Sequence, residues 1–258
     1  MTNCDYHVHT VFSDGKDSPE DIVLEALSRG LSAVGFSDHS HTAFDETGCI
    51  KRGETDRYID EISRLKERYD GRITVLCGIE QDIFSGGADP RFDYSIGSVH
   101  YIEAGGAYLP VDMGENTLLS AAERYFGGDL VSFAERYYET VSLVLSVTGA
   151  DVVGHFDLIS KFNEGDRLFD SRCERYRAAW RKAADALLKA GKPFEINTGA
   201  VSRGYRSGCY PSAEIAEYIA SRGGRFILSS DSHKKETLCF AFDRYESIYR
   251  EFIDPTPK

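Results

Sequence analysis

The segment DYHVHTVFSDG, Asp5 to Gly15, places two histidines two positions apart and an aspartate five residues beyond the second. In an extended strand alternate side chains share a face, so His7 and His9 point one way while Tyr6 and Val8 point the other. Two imidazoles side by side form a chelating pair, and Asp14 sits in the loop that follows. The chain then runs into SPEDIVLEALSRG, where Ser18 can cap a helix, Pro19 fits its first turn and Gly30 ends it. A short strand, a loop with a carboxylate and an amphipathic helix together make one β/α unit.

The same alternation continues along the chain. Strand candidates are residues 4–9, 32–37, 73–80, 93–100, 151–155, 193–198 and 225–230, short and mostly rich in β-branched or aromatic residues. Apolar spacing near 3.6 predicts further helices over residues 55–69, 129–147, 170–190, 211–221 and about 237–252. This order predicts an α/β fold with a parallel sheet, and its regularity over seven units favours a closed barrel over an open doubly wound sheet. No repeat, low-complexity segment or linker divides the chain, so residues 1–258 are expected to form one domain. Residues 101–128, with glycine pairs at 105–106 and 127–128, are expected to be an irregular excursion over one end of the fold.

A chain of 258 residues is long enough for a full-sized core. Its 30 basic and 42 acidic residues give a formal charge of −12, which opposes nucleic acid and anionic membranes and makes a small substrate or a metal cation the easier partner. No apolar run approaches the roughly 20 residues needed to cross a bilayer, and the N-terminus lacks a basic segment leading into an apolar one. A cytoplasmic location is therefore expected, whereas the oligomeric state leaves no mark on the sequence. The six cysteines are scattered without a CxxC pair, which argues against a thiolate zinc site and for buried free thiols.

Of seven histidines, four besides the opening pair fall at or just beyond a predicted strand end: His39 in SDH, His100 in GSVH, His155 in VVGH and His233 in SSDSH. Glu80 ends ITVLCGIE and Asp231 ends FILSSD. In a barrel of parallel strands such ends converge on one rim, where the active sites of these barrels are built. The nine nitrogen and oxygen donors (His7, His9, Asp14, His39, Glu80, His100, His155, Asp231, His233) exceed what one four-coordinate ion takes. They suit two or three divalent ions of Zn, Mn or Fe, with a carboxylate such as Glu80 bridging. The competing reading, buried histidines satisfied by hydrogen bonds, gives no reason for their shared position at strand ends.

With HVH at 7–9 and Asp14, SDH at 37–39, GIE at 78–80, GSVH at 97–100, GHFDL at 154–158 and SDSH at 230–233, the chain resembles the PHP family, the polymerase and histidinol phosphatase group of metal-dependent phosphoesterases. SVHYI, YLPVD, EINTGAVSRGY and CYPS resemble its histidinol-phosphate phosphatase branch in particular. The resemblance implies a distorted seven-stranded β/α (TIM-like) barrel around a trinuclear site. Carried over by position, one metal would take His7, His9, Glu80 and Asp231, the second Glu80, His100 and His155, the third Asp14, His39 and His233. It also implies hydrolysis of L-histidinol phosphate to L-histidinol and phosphate in histidine biosynthesis. One departure is Ser37, where the family's second motif often has Thr. His41 has no place in the ligand set and is expected to be a solvated loop residue.

In such hydrolysis metals lower the pKa of a bridging water so that hydroxide attacks phosphorus in line. Cations beside the metals offset charge on the phosphoryl oxygens, and Arg203 in VSRGY and Lys161 in LISKFN are the candidate substrate contacts. Asp231, His233 or a bound water can protonate the leaving alkoxide. Asp82 and Glu103 are available carboxylates for a substrate amine, with structural or exposed roles as the alternative. Three rivals stand beside this reading. A phosphodiesterase or nuclease is opposed by the acidic balance and by the lack of a basic or aromatic stretch for a single strand. An amidohydrolase on a related barrel would typically join its histidine pair by a carbamylated lysine, which no strand end here offers. A metal-storing protein without turnover would keep the ligands and release no phosphate.

Overall fold

The structure, a computed structural model, describes residues 2–253. Along the chain run β1 (Cys4–Asp5), α1 (Pro19–Ser28), β2 (Ala33–Phe36), α2 (Thr55–Arg68), β3 (Thr74–Asp82), β4 (Tyr94–Ser98), β5 (Tyr101–Ala104) and β6 (Ala107–Pro110). There follow α3 (Glu115–Phe126), α4 (Leu130–Val141), α5 (Val144–Thr148), β7 (Val152–Val153), α6 (Glu174–Leu188), β8 (Phe194–Asn197), α7 (Gly199–Ser202), α8 (Ala213–Ser221), β9 (Phe226–Ser229) and α9 (Phe242–Tyr249). Seven strands form one parallel sheet in the order β1-β2-β3-β4-β7-β8-β9, and β5 and β6 pair separately as an antiparallel hairpin. The first and last strands meet just beyond their ends, where Val8 and Ser232 form a single parallel bridge, so the sheet is nearly closed into a barrel. Below that bridge the short β1 leaves a gap, and Asp5 fills it: its carboxylate accepts from Ser230 N at 3.1 Å and Cys239 N at 2.8 Å.

Side chains from five strands (Cys4, Tyr6, Ala33, Tyr94, Ile96, Val152, Ile227) pack into one small apolar cluster, which they can share only through the barrel interior. Tyr94 spans it. Its hydroxyl donates to the carbonyls of Tyr6 and Phe36, and its ring occupies the space that side chains at Gly35 and Gly78 would need. A β-carbon at Gly78 would lie 2.4 Å from that ring. The opposite sheet face packs against the helices. α1 starts at Ser18, whose side chain accepts from Asp21 N, and buries Ile22, Val23 and Ala26 beside Val34 and Phe36 of β2. α6 buries Tyr176, Trp180, Ala183, Ala184 and Leu187, the spacing of one helix face, in the layer that also holds Phe194 and Phe226.

All seven expected parallel strands form, though β1 and β7 keep only two residues each. Residues 101–128 are not irregular. Gly105 and Gly106, with φ of 59° and 77°, turn the β5–β6 hairpin, and α3 follows. The strands escape a periodicity search because each is four residues long and buries a single side chain, Ile102 or Leu109. The helix expected over 129–147 breaks at Ser142–Leu143 into α4 and α5. Ser142 Oγ donates to Glu139 O at 2.6 Å, and α5 turns to bury Val144 and Thr148 against β4 at Gly97. The helix expected from 170 begins only at Glu174, because Asp170 is spent in a turn, accepting from Arg172 N. Among the described residues no helix is long and apolar enough to cross a membrane.

Candidate metal centre

The strands deliver their C-terminal residues to one rim. His7 and His9 extend β1, His39 follows β2, Glu80 lies within β3, His100 follows β4, His155 follows β7, and Asp231 and His233 follow β9. Their imidazoles form a continuous group: ring centroids are 5.1 Å apart for His7–His9, 4.4 Å for His9–His39, 4.9 Å for His39–His100 and 5.1 Å for His100–His155. His233 stacks on His9 at 4.1 Å.

Glu80 is the hub. Its Oε2 lies 2.8 Å from His39 Nδ1, 3.4 Å from His7 Nε2 and 3.6 Å from His9 Nε2, and its Oε1 lies 2.8 Å from His155 Nε2 and 3.4 Å from His100 Nε2. Asp231 Oδ1 is 3.3 Å from His9 Nε2, and Asp14 Oδ2 is 3.1 Å from His233 Nε2. Among the described residues three groups bring ligand atoms within 4.8 Å of one another: His9–Asp14–His39–His233, His7–His9–Glu80 and His39–Glu80–His100. The first holds the third ligand set that the family resemblance implies, with His9 added, and the second holds the first set without Asp231. In the remaining set His39 stands beside Glu80 and His100, because its Nδ1 faces Glu80 while its Nε2 faces Asp14 at 3.7 Å. His155 joins through Glu80 alone.

Whether this donor set suits cations is tested by its hydrogen bonding. His7 Nε2 and both ring nitrogens of His9 are buried without a hydrogen-bond partner, around the Glu80 carboxylate. An orphaned buried polar atom costs about 1–3 kcal/mol, so three around one point is an arrangement that isolated folding would select against and that bound cations would satisfy. Hard and borderline donors without thiolate fit divalent ions.

Electrostatics agree. Burial alone would raise the Glu80 carboxyl, but His39, His7 and His100 outweigh it and hold it well below its ordinary range. Asp231 is likewise held down against burial by Arg203 and His7, and Asp14 by His233 and His39. Burial, reinforced by His233 and His39, lowers His9 to about 3 and keeps it neutral, the form that binds metals. His7 moves the other way: burial opposes its charge, and Glu195 with Glu80 overcomes that.

A layer of acids behind the donors was not apparent in the sequence. Glu195 Oε1 takes His7 Nδ1 at 2.6 Å and leaves Nε2 to the centre, while its Oε2 accepts from His155 N at 2.9 Å. Asp38 accepts from Thr10 N at 2.8 Å and Ser13 N at 3.1 Å, shaping the loop that presents Asp14. Asp82, weighed above for a substrate amine, is instead occupied by His100: its Oδ2 accepts from His100 N at 3.0 Å and faces Nδ1 at 3.2 Å. Glu103 is exposed and accepts from Gly106 N. The one available signal was a charged residue between two apolar ones in a short strand, Glu195 between Phe194 and Ile196.

A cavity of about 290 Å³ opens over the rim and includes both candidate substrate cations among its walls. Arg203 Nη2 lies 2.9 Å from Asp231 Oδ2 and its Nη1 donates to Asp231 O at 2.8 Å. The close fit requires Gly199, where a β-carbon would sit 2.6 Å from Asp231 Oδ2. Lys161 Nζ donates to Asp112 O at 2.9 Å and Oδ2 at 3.1 Å and lies 4.7 Å from the Tyr205 ring centroid. His41 is outside the walls, its Nε2 3.8 Å from Glu46 on the neighbouring loop.

Known proteins share this build. The histidinol-phosphatase of Bacillus subtilis is 27% identical over 272 aligned positions, covering 95% of this chain and 98% of that protein. The histidinol-phosphatase of Lactococcus lactis is 26% identical over 90% of this chain and 85% of its own. A solved Listeria monocytogenes structure superposes with a TM-score of 0.81 at 20% identity, covering 94% of this chain and 99% of that one. The Lactococcus lactis histidinol phosphate phosphatase, solved with Zn, L-histidinol and phosphate, gives 0.71 at 21% identity over 97% and 93%. These two structures show the same fold. The PHP domain matches residues 5–199, most of the chain, and the protein accordingly belongs to the PHP family.

Proposed function

We propose that this protein is a metal-dependent phosphomonoesterase that hydrolyses L-histidinol phosphate to L-histidinol and phosphate, in histidine biosynthesis and in the cytoplasm. What carries the reading is the rim of buried, unpaired imidazole nitrogens around the Glu80 carboxylate, in a chain that aligns over nearly its whole length with relatives named for that reaction. Two or three divalent ions, Zn, Mn or Fe, fit the three overlapping groups, with Glu80 shared between two of them. When bound, such ions activate water as a nucleophile near neutral pH and offset charge on the phosphoryl oxygens.

The chain's own residues do the rest. Glu195 and Asp82 orient His7 and His100 so that each presents Nε2 to the centre. Arg203 has five N–H donors, more than Asp231 engages, and is proposed to hold a phosphoryl oxygen, with Lys161 as the second cation in the wall. His233 is the group proposed to give a proton to the leaving alkoxide, and Asp231, held ionised beside Arg203 and His7, is proposed as a relay that first takes a proton up from the attacking water. Residues 1–258 act in this reading as one phosphatase domain. The 101–128 segment lies over its active-site face, a placement supported by Tyr101, Asp112 and Met113 in the cavity wall.

The test is phosphate release after loading with each metal, on L-histidinol phosphate and on bis(p-nitrophenyl) phosphate, with elemental analysis of the same sample. Turnover of the monoester with two or three ions per chain is expected. Activity on the diester alone would replace the substrate assignment, and bound metal without release from any phosphomonoester would point to storage.

A further inference from the structure

Besides Asp231, which Arg203 engages, three carboxylates line the cavity without belonging to the groups that could hold metal: Asp45, Asp82 and Asp112. Two are fully engaged. Asp45 accepts from Thr47 N at 2.9 Å and from the Tyr101 hydroxyl at 2.7 Å, one oxygen each. Asp82 gives one oxygen to His100 and the other to Phe84 N at 2.9 Å. Asp112 differs: Lys161 takes its carbonyl and Oδ2, and no hydrogen bond from the described residues reaches Oδ1.

That free oxygen is held in place from two sides. Its neighbour Val111 is fully buried and donates its N–H to His100 O at 2.9 Å, tying Asp112 to the strand end that carries a metal-ligand candidate. Lys161, itself largely buried, anchors the other carboxylate oxygen. Lys161 offsets the charge of Asp112, but a phosphate dianion has no proton to give the open Oδ1, whereas a ligand that also carries an ammonium does. A 2-amino alcohol phosphate is such a ligand, with an ammonium two carbons from the ester oxygen.

Resting on the monoesterase reading above, we propose that Asp112 receives the substrate's ammonium on Oδ1 and is the residue that makes the site select amine-bearing phosphomonoesters. Arg203 then serves the phosphate end, and Asp112 discriminates at the other.

The experiment compares kcat/KM on two matched pairs, in wild type and Asp112→Asn: L-histidinol phosphate against 3-(imidazol-4-yl)propyl phosphate, and O-phosphoethanolamine against ethyl phosphate. The ratio within a pair is independent of how much of a preparation is folded. Wild type should favour the amine in each pair, and Asp112→Asn should reduce that preference roughly 10- to 100-fold while changing the amine-free substrate little. An equal loss on both members of a pair would make Asp112 only a positioning residue for Lys161 and would overturn the proposal. Wild type that selects the amine in the small pair yet ignores L-histidinol phosphate would overturn the histidinol reading and leave Asp112 standing. Release from none of the four overturns both.

Discussion

Inside the barrel, floor and rim are built from the same strands and obey opposite rules. On β4 Ile96 packs in the apolar interior and His100 joins the cluster four residues later; on β3 Gly78 yields to Tyr94 and Glu80 is the hub. In the floor the prominent polar groups are satisfied: the Tyr94 hydroxyl reaches two carbonyls and both Asp5 oxygens accept backbone N–H groups. At the rim His7 and His9 keep buried ring nitrogens unpaired. The contrast assigns stability to the floor and chemistry to the rim, and a fold can carry such unsatisfied atoms only where another part supplies the packing.

The strongest test of this division is Glu80→Gln. Loss of the shared carboxylate should remove bound metal and lower turnover by about 10³-fold or more, with the far-UV spectrum intact; a fully active variant would end the metal assignment. Glu195→Gln probes one layer behind. It should weaken metal affinity about 10- to 100-fold in a metal titration, with turnover recovering at saturating metal. Gly78→Ala attacks the floor instead, driving a methyl group into the Tyr94 ring. Denaturant unfolding should show a loss of about 1–3 kcal/mol, while the folded fraction keeps its metal content; metal loss without destabilisation would collapse the distinction between the two halves.

Asp129→Ala touches neither. Asp129 caps α4, accepting from Val131 N and Ser132 N, and its removal should cost about 1 kcal/mol with kcat unchanged. The Arg175 side chain and Ser132 lower its carboxyl to about 2. Its contribution is therefore present above the ordinary aspartate range and lost as pH falls toward 2, so the difference in Tm between variant and wild type should shrink with acidification.

The donors were legible because two simple periodicities coincide: alternate residues of a strand share a face, and parallel strands end on one rim. His7, His9 and Glu80 follow from that alone. Asp14 and His233 needed the loops, whose course the sequence does not reveal, and His39 turned out to serve two groups because of a ring orientation that spacing cannot express. The orienting acids were harder. Asp38 looks like any residue between a serine and a histidine until Thr10 and Ser13 fold back on it. Asp112 acquires meaning only through Lys161, 49 positions away. The β5–β6 hairpin escaped notice for a different reason, since four-residue strands carry too few alternations to register.

The Val8–Ser232 bridge runs the seam of the barrel through the cluster, with His7 and His9 on one lip and Asp231 and His233 on the other. Asp5 and Ser230, bonded across that seam, are 225 positions apart. A nascent chain leaving the ribosome thus displays its histidine pair long before the opposing lip exists, and any ion captured early meets half a site. A cation would find its full complement of ligands only once the last strand has docked, so metal uptake would report on the completion of folding.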